Sequence, residues 1–259
     1  MLVILHFWMN SYIACVKMIT PSLEGMVGDL DIYRRKIIMT IKEAITQRHM
    51  VRKYINKPIS SETVDLMKAR ISENNVRHGL DLQLVIGNAD GISGLAKLLL
   101  TRSVYNYIVL AGKECPGLDE KLGYCGADLI LYAQTLGLNT WWCGGMFNSK
   151  GAMKNLDNAN VRVNGVIAIG YGQTQGKSHK SKSVDEISHY EGDAPQWFKN
   201  GVKALLCAPT AMNKQPFWVE GKDNKVTLSA GSGQFAGIDL GIGKYHFEVG
   251  AGKENFEWN

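Results

Sequence analysis

The chain has 259 residues, 45% of them apolar, and a formal net charge of +5. That suffices for a buried core in one large or two small domains. The basic residues fall in short clusters at 34–36, 48–53 and 177–182 rather than on one element, which argues against a dedicated nucleic-acid surface. Five cysteines, odd in number and without a Cys-x-x-Cys pair, argue against a disulfide framework and a zinc ribbon and fit reduced thiols. The six histidines lack metal-ligand spacing, so no metal site is expected.

The apolar run 2–9 is too short to span a bilayer and follows no basic segment. Residues 1–38 are therefore expected to form a loosely attached extension, with the ordered domain starting at Met39. Thr40-Ile-Lys-Glu43 is a capping box opening a helix to about Gln47, with Ile41, Ala44 and Ile45 on one face. Ser60 or Ser61 caps a second helix to about Glu73, with Val64, Met67 and Ile71 inward. Residues 80–86 alternate like a half-buried strand. Residues 107–112 and 166–170 are continuous apolar runs ending in glycine, the pattern of buried central strands. Between them, 118–136 reads as a long helix, apolar nearly all round from Ala127 to Ala133 and stopped by Gly137. Residues 139–145 form a strand or loop rich in Trp and Gly. A helix over 195–206, strands over 216–220 and 225–229, and a helix over 235–249 complete the order, with His246 a core histidine in the last. Helices and strands mix without strict alternation, so an α+β fold is expected, a mixed β-sheet flanked by helices. Residues 64–75 echo 202–213, and Gly126-Ala-Asp-Leu129 echoes Gly237-Ile-Asp-Leu240. These echoes suggest two half-domains, about 39–190 and 191–259.

Four short motifs carry chemistry. Arg48 and Arg52, four apart at a helix end, can converge on one anion, or they can simply be an exposed basic helix end. Trp142-Cys143-Gly144-Gly145 lets the backbone approach a flat ring, or serves as a strand-ending turn. Lys180 and Lys182 lie past the strand 166–170, where a solvated loop is the plainer reading. Thr210, Ala211, Asn213 and Gln215 occupy a Pro-Thr-Ala-x-Asn-x-Gln-Pro turn whose amides suit a ring edge bearing donors and acceptors, or a plain helix-to-strand turn.

Taken in this order, the motifs resemble the FMN-dependent nitroreductase family over roughly residues 39–259. The nearer likeness is to its single-chain branch, in which two half-domains mimic the usual homodimer. The resemblance implies a nitroreductase-like fold and FMN as cofactor. Arg48 would hold its phosphate and ribityl end, Arg52 would reach toward the pyrimidine, and Lys180 and Lys182 would form a second phosphate grip. Trp142, Cys143, Gly144 and Gly145 would lie along the isoalloxazine, with Thr210, Ala211, Asn213 and Gln215 across it. Met50 stands where the family has a small hydroxyl residue, so only its main chain could contact the cofactor.

The first half lacks the Pro-Thr-Ala turn and the second lacks the arginines and the Gly-Gly loop. Each half supplies what the other has lost, so one flavin per chain is expected and a monomer suffices. The activity implied is ping-pong electron transfer from NADH or NADPH to a small nitroaromatic or quinone-like acceptor. A cytoplasmic location is expected, with no nucleic-acid or membrane partner. No titratable pair demands a catalytic acid or base, and without a Gly-x-Gly-x-x-Gly fingerprint the nicotinamide would bind over the flavin. Two rivals stay open: a non-catalytic FMN store or sensor whose ring is covered by Trp141, Trp142 or Phe217, and a basic nucleic-acid module.

Overall fold

Thr40 opens the first helix, α1 (Ile41–Gln47), as a full capping box. Its hydroxyl accepts from the Glu43 N–H at 3.2 Å and the Glu43 carboxylate accepts from the Thr40 N–H at 2.7 Å. The computed structural model describes residues 39–259; the extension expected over 1–38 lies outside the described residues. Helix α2 (Ser61–His78) is capped by Ser60 and runs past Glu73, because Asn74 is buried and donates to Asp128. Gly79, in the left-handed region at φ +66°, ends it. Strand β1 (Gln83–Val85) is shorter than the alternation suggested. The Asn75 side chain takes both the N–H and the carbonyl of Leu82, at 2.8 and 2.9 Å, in place of a strand partner.

After α3 (Gly94–Leu99), β2 (Tyr107–Gly112) is buried at every residue, as a continuous apolar run requires. Helix α4 (Leu118–Thr135), β3 (Asn139–Cys143), the short α5 (Ser149–Met153) and β4 (Arg162–Gly170) complete the first sheet region. The sheet has order β1-β2-β4-β3 and is antiparallel throughout. A second sheet comprises β5 (Ser188–Tyr190), β6 (Phe217–Lys222), β7 (Lys225–Ala230) and β8 (Glu257–Trp258) in that order. Its central hairpin is antiparallel and its outer pairs are parallel. The fold is α+β, but the single mixed sheet expected from sequence resolves into two, only one of them mixed. Ser188 pairs with Val219, so the second sheet draws β5 from residues that the sequence assigns to the first half.

Helices α6 (Gln196–Leu205) and α7 (Ala236–Ala251) complete the second half. Helices α4 and α7 pack backbone to backbone. A Cβ on Gly123 would fall 2.2 Å from the Ile238 carbonyl oxygen, and one on Gly241 would fall 1.9 Å from that of Glu120. Each of those carbonyls lies three residues before the opposite glycine, so the contact is reciprocal, like an isologous dimer interface inside one chain. The register differs from the sequence echo: Gly126 faces the Trp142 ring and Gly237 faces Asp119. Beside this contact Asp128, 1% exposed, accepts from Arg70, Asn74 and the Tyr245 hydroxyl, tying α2, α4 and α7 together.

Candidate functional site

Past Gln47 the chain leaves the helix. Arg48 is already extended (φ −76°, ψ 122°), and the Val51 N–H bonds the Thr140 carbonyl at 3.1 Å, laying the segment beside β3. Every second side chain of an extended segment shares a face. Arg48, Met50 and Arg52 accordingly line one cleft of about 340 Å³. They converge through a period of two, not through the helical four-residue spacing that the sequence suggested. Tyr54 pins the segment, its hydroxyl donating toward the carbonyls of Val51 at 2.8 Å and Ala168 at 3.2 Å.

The electrostatics of this wall are unusual. Arg48 is 8% exposed and forms no salt bridge among the described residues. Its Nε–H is buried without a hydrogen-bond partner, and burial pulls the guanidinium down to about 10. The Arg52 Nε–H is likewise buried and unpartnered, and this guanidinium sits 5.5 Å over the Trp141 ring. Desolvating a cation without a counter-charge is costly. Arg48 bears that cost in full and the half-buried Arg52 in part, a wall whose chemistry suits an anion or strong acceptor. On α7 lies His246, fully buried, its Nδ1 2.9 Å from the Ile242 carbonyl, which can only accept. Nδ1 therefore carries the proton, and burial, helped by the Arg48 charge, lowers this histidine to about 3. It is a neutral core histidine.

The second wall is β3 and the turn after it. Trp142 packs on α4, where a Cβ at Gly126 would come within 2.3 Å of its ring, so glycine there makes room for the indole. Cys143 is buried and its thiol is pushed up to about 11, which keeps it protonated. Gly144 and Gly145 present bare backbone opposite Phe235; an added Cβ at Gly144 would already lie 3.3 Å from that ring.

The third wall combines the loop 209–212 with the start of α7. Met212, Asn213 and Gln215 all adopt positive φ (54°, 55° and 45°), which costs about 1–2 kcal/mol at each non-glycine residue. The strain is held by a brace. Gln215, 1% exposed, donates from Nε2 to the Leu206 carbonyl at 2.7 Å and accepts at Oε1 from the Lys182 N–H at 2.8 Å. The Lys182 ammonium donates to the Gln215 carbonyl at 2.8 Å, and Asn213 donates to the Lys180 carbonyl at 2.7 Å.

Nine of the thirteen residues singled out in the sequence therefore line the cleft, from both halves of the chain. Lys180, Lys182, Asn213 and Gln215 do not; they hold the loop that carries Thr210 and Ala211. Sequence reasoning passed over Phe235, Ile238, Asp239 and Ile242, which also line it. Their spacing reads as the core stripe of a helix, and nothing in one sequence says that the stripe meets a cleft. Phe217, one of the three residues considered as a cover for the ring, is 3% exposed in the core and does not line the cleft. Among the described residues no helix is long and apolar enough to cross a membrane, and no group of three or more His, Cys, Asp or Glu side chains could hold a metal.

Comparison with known proteins identifies the family. The family described as "Putative TM nitroreductase" matches residues 40–251, and the chain belongs to it. Among solved structures, a "putative nitroreductase" of Thermotoga maritima is 20% identical with a TM-score of 0.60, over 83% of this chain and 85% of that one. A "Putative NADH dehydrogenase/NAD(P)H nitroreductase" of Parabacteroides distasonis is 20% identical with a TM-score of 0.46, over 57% of this chain and 96% of that one. The counterpart described in the same words from Bacteroides thetaiotaomicron is 22% identical with a TM-score of 0.45, over 57% and 95%. No curated protein matches.

Proposed function

We propose that this chain is an FMN-dependent oxidoreductase that passes electrons from NADH or NADPH to a small planar acceptor, a nitroaromatic or a quinone. The observation that carries the reading is the buried, unpaired guanidinium of Arg48 beside the half-buried Arg52, whose Nε–H is also unpartnered, on one wall of an aromatic, glycine-edged cleft. The fit to FMN rests on donor chemistry. The phosphate supplies the missing counter-charge, and a flat ring system needs the bare backbone at Gly144 and Gly145. The volume falls within the range of about 300–1,000 Å³ common for small-molecule sites.

Arg48 would hold the phosphate end, and Arg52 would serve the pyrimidine side, where a fixed cation favours negative charge arriving on reduction. Gly144 and Gly145 could offer N–H groups to the ring edge, and Thr210 and Ala211 would bound the site from the loop. Asn213, Gln215, Lys180 and Lys182 act through the loop they brace. Trp141, Trp142 and Phe235 exclude water, while Met50 and Met212 (47% and 90% exposed) form an apolar rim where donor and acceptor take turns. Bound FMN supplies the two-electron redox chemistry. One cleft is completed by the two halves of one chain, so a monomer is sufficient, and neither a membrane nor a nucleic acid has a role.

The experiment is purification followed by titration with FMN and steady-state oxidation of NADH and NADPH with menadione and a nitroaromatic. Flavin binding with turnover supports the reading. Tight flavin without turnover would make the protein a flavin carrier instead, and a colourless protein that refuses FMN would end the proposal.

A further inference from the structure

Asp239 is the one carboxylate among the described residues that line the cleft, and nothing so far gives it a role. It sits in the first turn of α7, 6% exposed, and forms no salt bridge among the described residues, although Arg48 and Arg52 line the same cleft. The loop opposite approaches it through the Ala211 backbone N–H. Several titratable groups on α4, on the loop and at the end of β3 are accounted for. On α4, Asp119 is held by Arg162 and Asn164, and Glu120 is held by Lys244. On the loop, Lys214 is exposed, and at the end of β3 Cys143 stays a thiol. Charges of opposite sign in one cleft, unpaired with each other, describe an occupant that is anionic at one end and donates hydrogen bonds elsewhere.

We propose that Asp239, as a carboxylate, accepts a hydrogen bond from a donor group of the bound flavin, a ribityl hydroxyl or the ring imide N–H, and so makes flavin binding proton-linked. The inference rests on the flavin reading above. Such an acceptor is unusual at a site for an anionic cofactor, since near the phosphate it would repel. Asp239 forms no ion pair with either arginine, which is consistent with that. Burial raises its carboxyl to about 6, so the empty cleft holds a neutral acid at pH 5 and a carboxylate at pH 7.5. A hydrogen bond to the charged form favours that form, so flavin binding releases a proton in this range.

The test uses riboflavin, because the FMN phosphate itself titrates near pH 6. Riboflavin affinity of the full chain is measured by fluorescence quenching between pH 5 and 7.5. If only the carboxylate binds, the dissociation constant is about tenfold higher at pH 5 than at pH 7.5. In Asp239→Asn that slope disappears and affinity at pH 7.5 falls. A flat wild-type profile, tighter binding at low pH, or an unchanged slope in Asp239→Asn overturns the proposal, and the wild-type profile is decisive even if the variant misfolds. Absence of binding by both riboflavin and FMN at every pH would instead refute the flavin reading itself.

Discussion

Replacing Arg48 by methionine should stabilise the empty protein and weaken it toward its cofactor at once. The guanidinium is buried without a counter-charge, and its fall from the ordinary arginine range to about 10 corresponds to about 3 kcal/mol against the folded state. The sign follows from linkage. A base whose folded pKa is depressed destabilises the fold at every pH where the unfolded chain keeps its proton, and neutral pH is well inside that window. Lost packing offsets part of the gain, leaving about 1–2 kcal/mol, or roughly 2–8 °C in Tm for a domain of this size. In exchange, FMN loses a charge-assisted hydrogen bond worth about 1.5–3 kcal/mol, so Kd rises about 10- to 150-fold. Differential scanning fluorimetry with and without FMN reads both effects. At 100 times the wild-type Kd, ligand raises wild-type stability by about 2.7 kcal/mol. The variant should gain under about 1.5 kcal/mol from the same FMN. A lower Tm for the empty variant, or an unchanged FMN-induced shift, would refute the reasoning, because it would mean that the charge is balanced within the chain.

Gly241→Ala places a methyl 1.9 Å from the Glu120 carbonyl oxygen, against backbone that cannot swing aside, and should cost more than about 3 kcal/mol in urea unfolding. A loss below 1 kcal/mol would mean that α4 and α7 are not locked at this contact. Gln215→Ala strips partners from the Leu206 carbonyl and the Lys182 N–H and should cost about 1–3 kcal/mol. It should also speed FMN release in stopped flow, although Gln215 does not line the cleft; an unchanged off-rate would separate the brace from the site. His246, lowered to about 3, loses stability for the fold as pH falls below its unfolded value near 6.5, by about 2 kcal/mol at pH 5. Asp239, raised to about 6, contributes the opposite slope between its unfolded value near 3.9 and 6. The test is therefore the difference in pH slope between wild type and His246→Asn, and identical slopes would contradict a buried neutral imidazole.

Local chemistry made much of this fold legible. The Thr40 and Glu43 capping box, the all-apolar run of β2 and the core helix α4 are set by residues a few positions apart, and each forms where its pattern lies. Long-range competition hid the rest. Asn75 captures Leu82 and cuts short the strand that alternation predicts. Helix α3 is only six residues long, too short for its apolar spacing to stand out in sequence, and it buries Ala96 while leaving Leu95, Leu98 and Leu99 exposed. At the site, the residue types at Arg48 and Arg52 carried the signal while the geometry inferred for them was wrong. The same four-residue spacing reaches one cleft along an extended segment, which only the pairing of Val51 with Thr140 reveals. That Lys180, Lys182, Asn213 and Gln215 brace a loop outside the cleft lining was not legible, because polar side chains read alike whether they face a ligand or a loop.

The central claim is that one chain builds one complete flavin site. Its most direct measurement is the stoichiometry of FMN binding by calorimetry, with molecular mass followed by light scattering in the same buffer. The account predicts one FMN per chain on a monomer, lost together with Arg48 and Arg52. Binding of one FMN per two chains, or none, would contradict it.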